Sequence, residues 1–214
     1  MPEARPAFQY ATLAQQHDAA QLGMWTFLAT EVLFFGGLIC AYAAYRHGYP
    51  ADFAAAARHT KIVIGTVNTA ILLTSSFLVA WAVTAARLGS GPLAAALLIA
   101  AALLGTLFLG LKAYEYFEEF RDHLVPALNF EFDPAHARGA ILFFLFYFAA
   151  TGLHALHVAV GIVVLLVIAW RARQNSYSQN YHSPITVAGL YWHFVDLVWI
   201  FLFALIYLPG RSGA

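Results

Sequence analysis

Charge is what this 214-residue sequence has least of: Asp, Glu, Lys and Arg make up 10% of it, against about 25% in soluble domains. With 62% hydrophobic residues, the chain reads as an integral membrane protein. The charge present cancels, 11 basic against 11 acidic side chains, which excludes a global field for nucleic acid and leaves recognition local. Cysteine is nearly absent. Cys40 alone permits no intrachain disulfide, no thiolate metal cluster and no CxxCH haem attachment, and it reads as a small packed residue of the first apolar segment. The start, "MPEARPAFQYATLAQQHDAAQ", lacks the basic opening and continuous apolar core of a secretory signal. Residues 1–21 are expected to form an exposed tail along the membrane, with targeting left to the first span. There is no internal repeat and no pair of Gly/Pro-broken helices of the kind transporters use.

What the chain has instead is five apolar runs near spanning length, at about 22–45, 61–86, 93–117, 139–170 and 184–208, followed by a short tail, 210–214. Runs this long exclude strands, so the expected fold is all-α, a membrane domain over residues 22–209 with five transmembrane helices. Breakers and charges fall in the connections "RHGYPADF", "RLGSGP", "EEFRDHLVPALNFEFDPAHARG" and "RARQNSYSQNYHSP". The run 139–170 would extend about 46 Å against a hydrocarbon core of about 30 Å, so it must tilt or project. Basic residues do not set the orientation: an inside N-terminus leaves Arg5, Arg87, Arg171 and Arg173 inside, and Arg46, Arg58, Lys61, Arg121, Arg138 and Arg211 outside, against the usual bias.

Polar residues at depth are the candidate functional positions. Glu31 lies about 14 Å along the first helix, where an ionised carboxylate costs at least several kcal/mol, so it should be protonated or face a polar partner. The second helix carries Gly65, Asn68, Leu72, Ser75 and Ser76 on one face; small and hydroxylated residues there point to close helix packing. In "TGLHALHVAVG", His154 and His157 share one face, which cannot clamp a haem from opposite sides and could hold a metal only with ligands from other helices, His193 among them. No Glu-x-x-His pair lies on any span, so a di-iron bundle is not indicated and no metal is expected. His193 and Asp196 are neighbours on the last helix, near mid-depth, and can bond to each other. The end of the third span, "KAYEYFEEF", holds Lys112, Glu115, Glu118 and Glu119, which read as snorkelling and interfacial charge.

Taken together, the motifs match something known. "YWHFVDLVWIFLFALIYL" resembles the closing helix of subunit III of the haem-copper cytochrome c oxidases, and "FFLFYFAATGLHALHVAVG" the helix before it. "GMWTFLATEVLFFGGLICAY" is similar to the family helix with a buried glutamate, and "VNTAILLTSS" and "FLGLKAYEYFEEF" match the two between. The resemblance covers residues 22–209, in family order. It departs from the seven-helix form, resembling the five-helix short form common in bacteria, and has Ala155 where the family often has glycine.

The resemblance implies an accessory, non-redox subunit of an aa3- or caa3-type oxidase, with haem and copper in the partner subunits and no cofactor in this chain beyond bound phospholipid. It implies main contact with subunit I, subunit II in the same complex, and a place in aerobic electron transport and proton pumping, with membership of a respiratory supercomplex left open. It also implies the bacterial inner membrane, a cytoplasmic N-terminus and an outer C-terminus. In this reading Glu31 fixes a lipid headgroup or supports proton uptake, and His154, His157, His193 and Asp196 form one polar seam between the last two helices. Alternatives are subunit III of a quinol oxidase, a nitric-oxide-reductase-associated subunit, and, from another class, an independent haem- or metal-binding membrane protein or a transporter.

Overall fold

The computed structural model describes residues 7–174, 183–209 and 211; the rest of both tails and most of the "RARQNSYSQNYHSP" connection lie outside the described residues. Six helices follow one another and no strand occurs among the described residues: α1 Leu13–Gly48, α2 Pro50–His59, α3 Ile62–Arg87, α4 Gly91–Arg121, α5 Ala137–Arg173 and α6 Ser183–Tyr207. All but α2 are long and apolar enough to cross a membrane. The protein is a multi-pass membrane protein with an all-helical fold.

Helix α1 starts well before the apolar run. Thr12 caps it, its Oγ1 accepting from Gln15 N at 3.1 Å, and "LAQQHDAAQ" contains enough good helix formers to continue the helix outside the apolar zone. Hydropathy marks where the hydrocarbon begins, whereas the cap marks where the helix begins. His17 Nδ1 lies 2.9 Å from Ser183 Oγ, which ties this polar first turn to the start of α6. The first connection also carries structure. Pro50 opens α2 at a position that needs no N–H, and Phe53, Ala56 and Ala57 are buried. Asp52 accepts from Gly139 N at 3.1 Å and pairs with His136 Nδ1 at 2.7 Å, fastening α2 to the beginning of α5.

The turn between α3 and α4 follows from "RLGSGP". Gly89 takes φ 79°, Ser90 N donates to Ala85 O and Gly89 N to Ala86 O, a Schellman arrangement that ends α3, and Pro92 lies in the first turn of α4. The short turn sets α3 and α4 antiparallel. Their buried seam is built from small residues: Ala82, Ala85, Ala86, Ala94, Ala95, Ala101, Ala102. Small side chains let backbones approach closely where no solvent drives association. Helix α6 lies against both α3 and α5, and its Trp192 fills the centre. The space for that ring is created by two glycines: a Cβ on Gly105 would stand 2.7 Å from it and one on Gly161 2.8 Å. Trp192 Nε1 donates to Ser75 Oγ at 3.1 Å, and Ser75 donates on to Ala101 O.

Helix α1 stands apart from this core. It buries only Leu28, Phe35 and Tyr42, seven residues apart, a narrow stripe against α5 and α6. Tyr42 anchors it by donating to Leu205 O at 2.7 Å. Trp25, Phe27, Val32, Leu33 and Phe34 face outward, and so does Cys40. The expectation of a packed Cys40 is therefore corrected: α1 touches the bundle along one stripe, and Cys40 lies off it.

Candidate functional site

Two polar centres lie inside the bundle. The first joins α1 to α5. Glu31 Oε2 is 3.2 Å from His157 Nε2, and each side chain is 17% exposed. His157 Nδ1 bonds to Leu153 O at 2.8 Å, and a carbonyl only accepts, so Nδ1 carries hydrogen and Nε2 is the atom that faces the carboxyl. One proton then belongs to the pair: imidazolium meets carboxylate, or neutral imidazole accepts from a carboxylic acid. Both states are neutral, which is how two ionisable groups are tolerated at this depth. Phe35 stands edge-on to the imidazole at 5.2 Å and Tyr191 donates to His157 O at 3.0 Å, holding the ring in place.

Of the four residues expected to form one seam, His154 and His157 turn to different neighbours, while His193 and Asp196 both lie beside Ser76 on α3. His154 turns inward, is fully buried, and packs against Phe108 at 5.5 Å and Trp199 at 5.2 Å. His193 Nδ1 lies 2.6 Å from Ser76 Oγ on α3. Neither nitrogen of His154 has a hydrogen-bond partner among the described residues, and neither oxygen of Asp196 has one of good geometry, although Ser76 stands beside Asp196. The physical reason is angular. A three-residue step turns a helix by about 60°, enough at these positions to send His157 to α1 while His154 meets α4 and α6. Likewise His193 faces α3, and it also lines an open apolar groove of about 700 Å³ with Trp25, Leu28, Val32 and Leu197. In the packing stripe of α3, Gly65 lies under the Tyr207 ring, Asn68 is buried with no hydrogen-bond partner for its side chain among the described residues, and Ser75 serves Trp192.

The second centre corrects the reading of "KAYEYFEEF" as interfacial charge. Lys112, Glu115 and Glu119 are 2%, 0% and 0% exposed. Lys112 Nζ donates to Glu115 Oε2 at 3.0 Å, Tyr147 Oη at 2.8 Å and Tyr207 Oη at 2.7 Å. Tyr207 donates its own proton to Glu115 Oε1 at 2.7 Å, and the ammonium lies over the Tyr147 ring at 4.4 Å. Nearby, Tyr116 and Thr151 hydroxyls are 2.6 Å apart. The signal was present in the spacing: Lys112, Glu115 and Glu119 fall on one helical face, and Glu118 and Arg121, which pair with each other at the surface, fall on another. The partners Tyr147 and Tyr207 come from two other helices, and no linear pattern links them.

Among the described residues, no three His, Cys, Asp or Glu side chains converge as metal ligands.

Comparison with known proteins agrees with this architecture. The sequence matches the family described as cytochrome c oxidase subunit III over residues 7–211. It is 32% identical over 200 residues to cytochrome c oxidase subunit 3 of Thermostichus vulcanus, covering 92% of each chain. It is 35% identical over 192 residues to that of a Synechocystis species, covering 89% of this chain and 76% of the relative. With the protein of Alkalihalophilus pseudofirmus it shares 31% over 192 residues, 90% and 87% of the two chains. With five helices long enough to span a membrane, a family match running over residues 7–211 and relatives more than 30% identical over most of both chains, the chain belongs to the cytochrome c oxidase subunit III family.

Proposed function

We propose that this chain is the accessory, non-redox subunit III of a proton-pumping aa3- or caa3-type cytochrome c oxidase in a bacterial inner membrane, with its N-terminus cytoplasmic and its C-terminus outside. It binds chiefly to subunit I, sits with subunit II in one complex, and retains phospholipid. Haem and copper belong to the partner subunits. His154 and His157, which point to different neighbours, form no ligand pair of their own.

The observation that carries the proposal is the Glu31–His157 pair, set on the one helix that is barely packed into its own bundle. A neutral one-proton pair holds α1 in register, while its outward face, from Trp25 to Phe34, offers a large apolar surface. In a membrane, such a surface is covered by lipid chains or by another subunit's helices. Glu31 thus supports the oxidase indirectly, by fixing the helix that presents lipid and partner to each other.

The complex purified through this chain tests the reading by its subunit composition: haem-copper subunits I and II should accompany it, and a quinol-oxidase set in their place would reassign the electron donor. In the same complex, Glu31→Ala should lower bound phospholipid and shorten the number of turnovers before inactivation. Unchanged lipid and lifetime would remove Glu31 from the function.

A further inference from the structure

The second polar centre has an unbalanced charge count. One ammonium, Lys112, faces two carboxyls, Glu115 and Glu119, and all three are enclosed. The hydrogen bonds show how the charge is divided. Lys112 spends its three donors on Glu115, Tyr147 and Tyr207. Glu115 has both oxygens satisfied, one by Lys112 and one by Tyr207. It is the ionised partner. Neither oxygen of Glu119 has a hydrogen-bond partner of good geometry among the described residues, although Lys112 and Tyr147 stand close enough to act on it. A second buried carboxylate without a cation of its own is not tolerated; two carboxyls that share one cation hold one proton between them.

We propose that Glu119 is a proton-binding site, a resident carboxylic acid kept neutral by its enclosure beside a lysine whose charge is already matched by Glu115. Tyr147 Oη accepts from Lys112, so its hydroxyl hydrogen is free for Glu119. The groups that face the site are Lys61 at the start of α3, Lys112, Glu115 and Tyr116 on α4, Tyr147 on α5 and Tyr207 on α6. Glu119 is in the last turn of α4, and beyond it Asp122 pairs with Lys61 at 3.1 Å in a half-exposed position. The proton therefore exchanges with water at this end of the bundle, entering as Glu119 carboxylate takes it up and leaving by the reverse step. This site is separate from Glu31, on different helices, and does not depend on the role proposed for that residue.

Infrared difference spectra of the purified complex, wild type minus variant, test the count through the carbonyl stretch of a protonated carboxyl. At neutral pH, E119Q should delete one deuterium-sensitive band per chain. E115Q should delete the same band, because Lys112 then takes Glu119 as its counter-ion and the proton leaves. A purely structural Glu119 does not make the spectrum depend on Glu115. The conservative E119D keeps the acid and should shift the band, so the proton can be read even where a glutamine variant fails to assemble. An E119Q spectrum without loss, an E115Q spectrum that keeps the band, or an unshifted band in E119D overturns the assignment.

Discussion

Replacing Lys112 with Met removes the cation at the centre of three helices while keeping a side chain of similar length and apolar stem. Glu115 loses its ion pair at 3.0 Å, and the Tyr147 and Tyr207 hydroxyls lose a donor at 2.8 and 2.7 Å. Hydrogen bonds to charged groups contribute about 1.5–3 kcal/mol each, offset in the native protein by the cost of enclosing the ammonium. Removing one member of a buried pair costs about 3–5 kcal/mol, because the other charge is left uncompensated. K112M should destabilise the chain by about that amount. The double variant K112M/E115Q leaves no charge behind, and should recover on the order of 2 kcal/mol of the loss as a coupling energy. Unfolding of the full chain in mixed micelles titrated with a denaturing detergent measures both, followed by tryptophan fluorescence, since the Trp199 ring is 5.7 Å from Lys112 Nζ. A loss below about 1 kcal/mol, or a double variant no better than the single, would show that the cluster behaves like a solvated pair.

Four further outcomes follow from the packing. Gly161→Val places carbon atoms against the Trp192 ring, where a Cβ alone would already be at 2.8 Å; the overpacking should cost about 1–3 kcal/mol, and adding Trp192→Phe should return part of it in the same unfolding assay. Tyr42→Phe removes the bond to Leu205 O at 2.7 Å and should cost about 0.5–1.5 kcal/mol, read most clearly as faster proteolysis or hydrogen exchange along α1. Asp52→Ala deletes the acceptor for Gly139 N and His136 and should cost about 1 kcal/mol, comparable to losing a helix cap, whereas Phe34→Ala, on the outward face of α1, should leave the isolated chain within about 0.5 kcal/mol.

The sequence by itself determined that the chain spans a membrane with five helices, because charge is scarce and the apolar runs match the thickness of hydrocarbon. It also marked Glu31, since an acid in such a run must be neutralised. The identity of the neutralising group was not legible. His154 and His157 are three residues apart, and only the placement of α1, α4 and α6 around α5 decides that one meets Glu31 and the other meets Trp199. Likewise His193 and Asp196, neighbours in the sequence, both face Ser76 on α3, and of the two only His193 makes a hydrogen bond of good geometry to it among the described residues. The charges of "KAYEYFEEF" show the same limit most sharply. Hydropathy places them at a helix end, where solvation by the interface suffices, and nothing local reveals the tyrosines that enclose them. A helix fixes which side chains share a face; what that face meets is set by the packing of other helices, and the packing, through Tyr147 and Tyr207, turned an interfacial lysine and two glutamates into a buried charge centre.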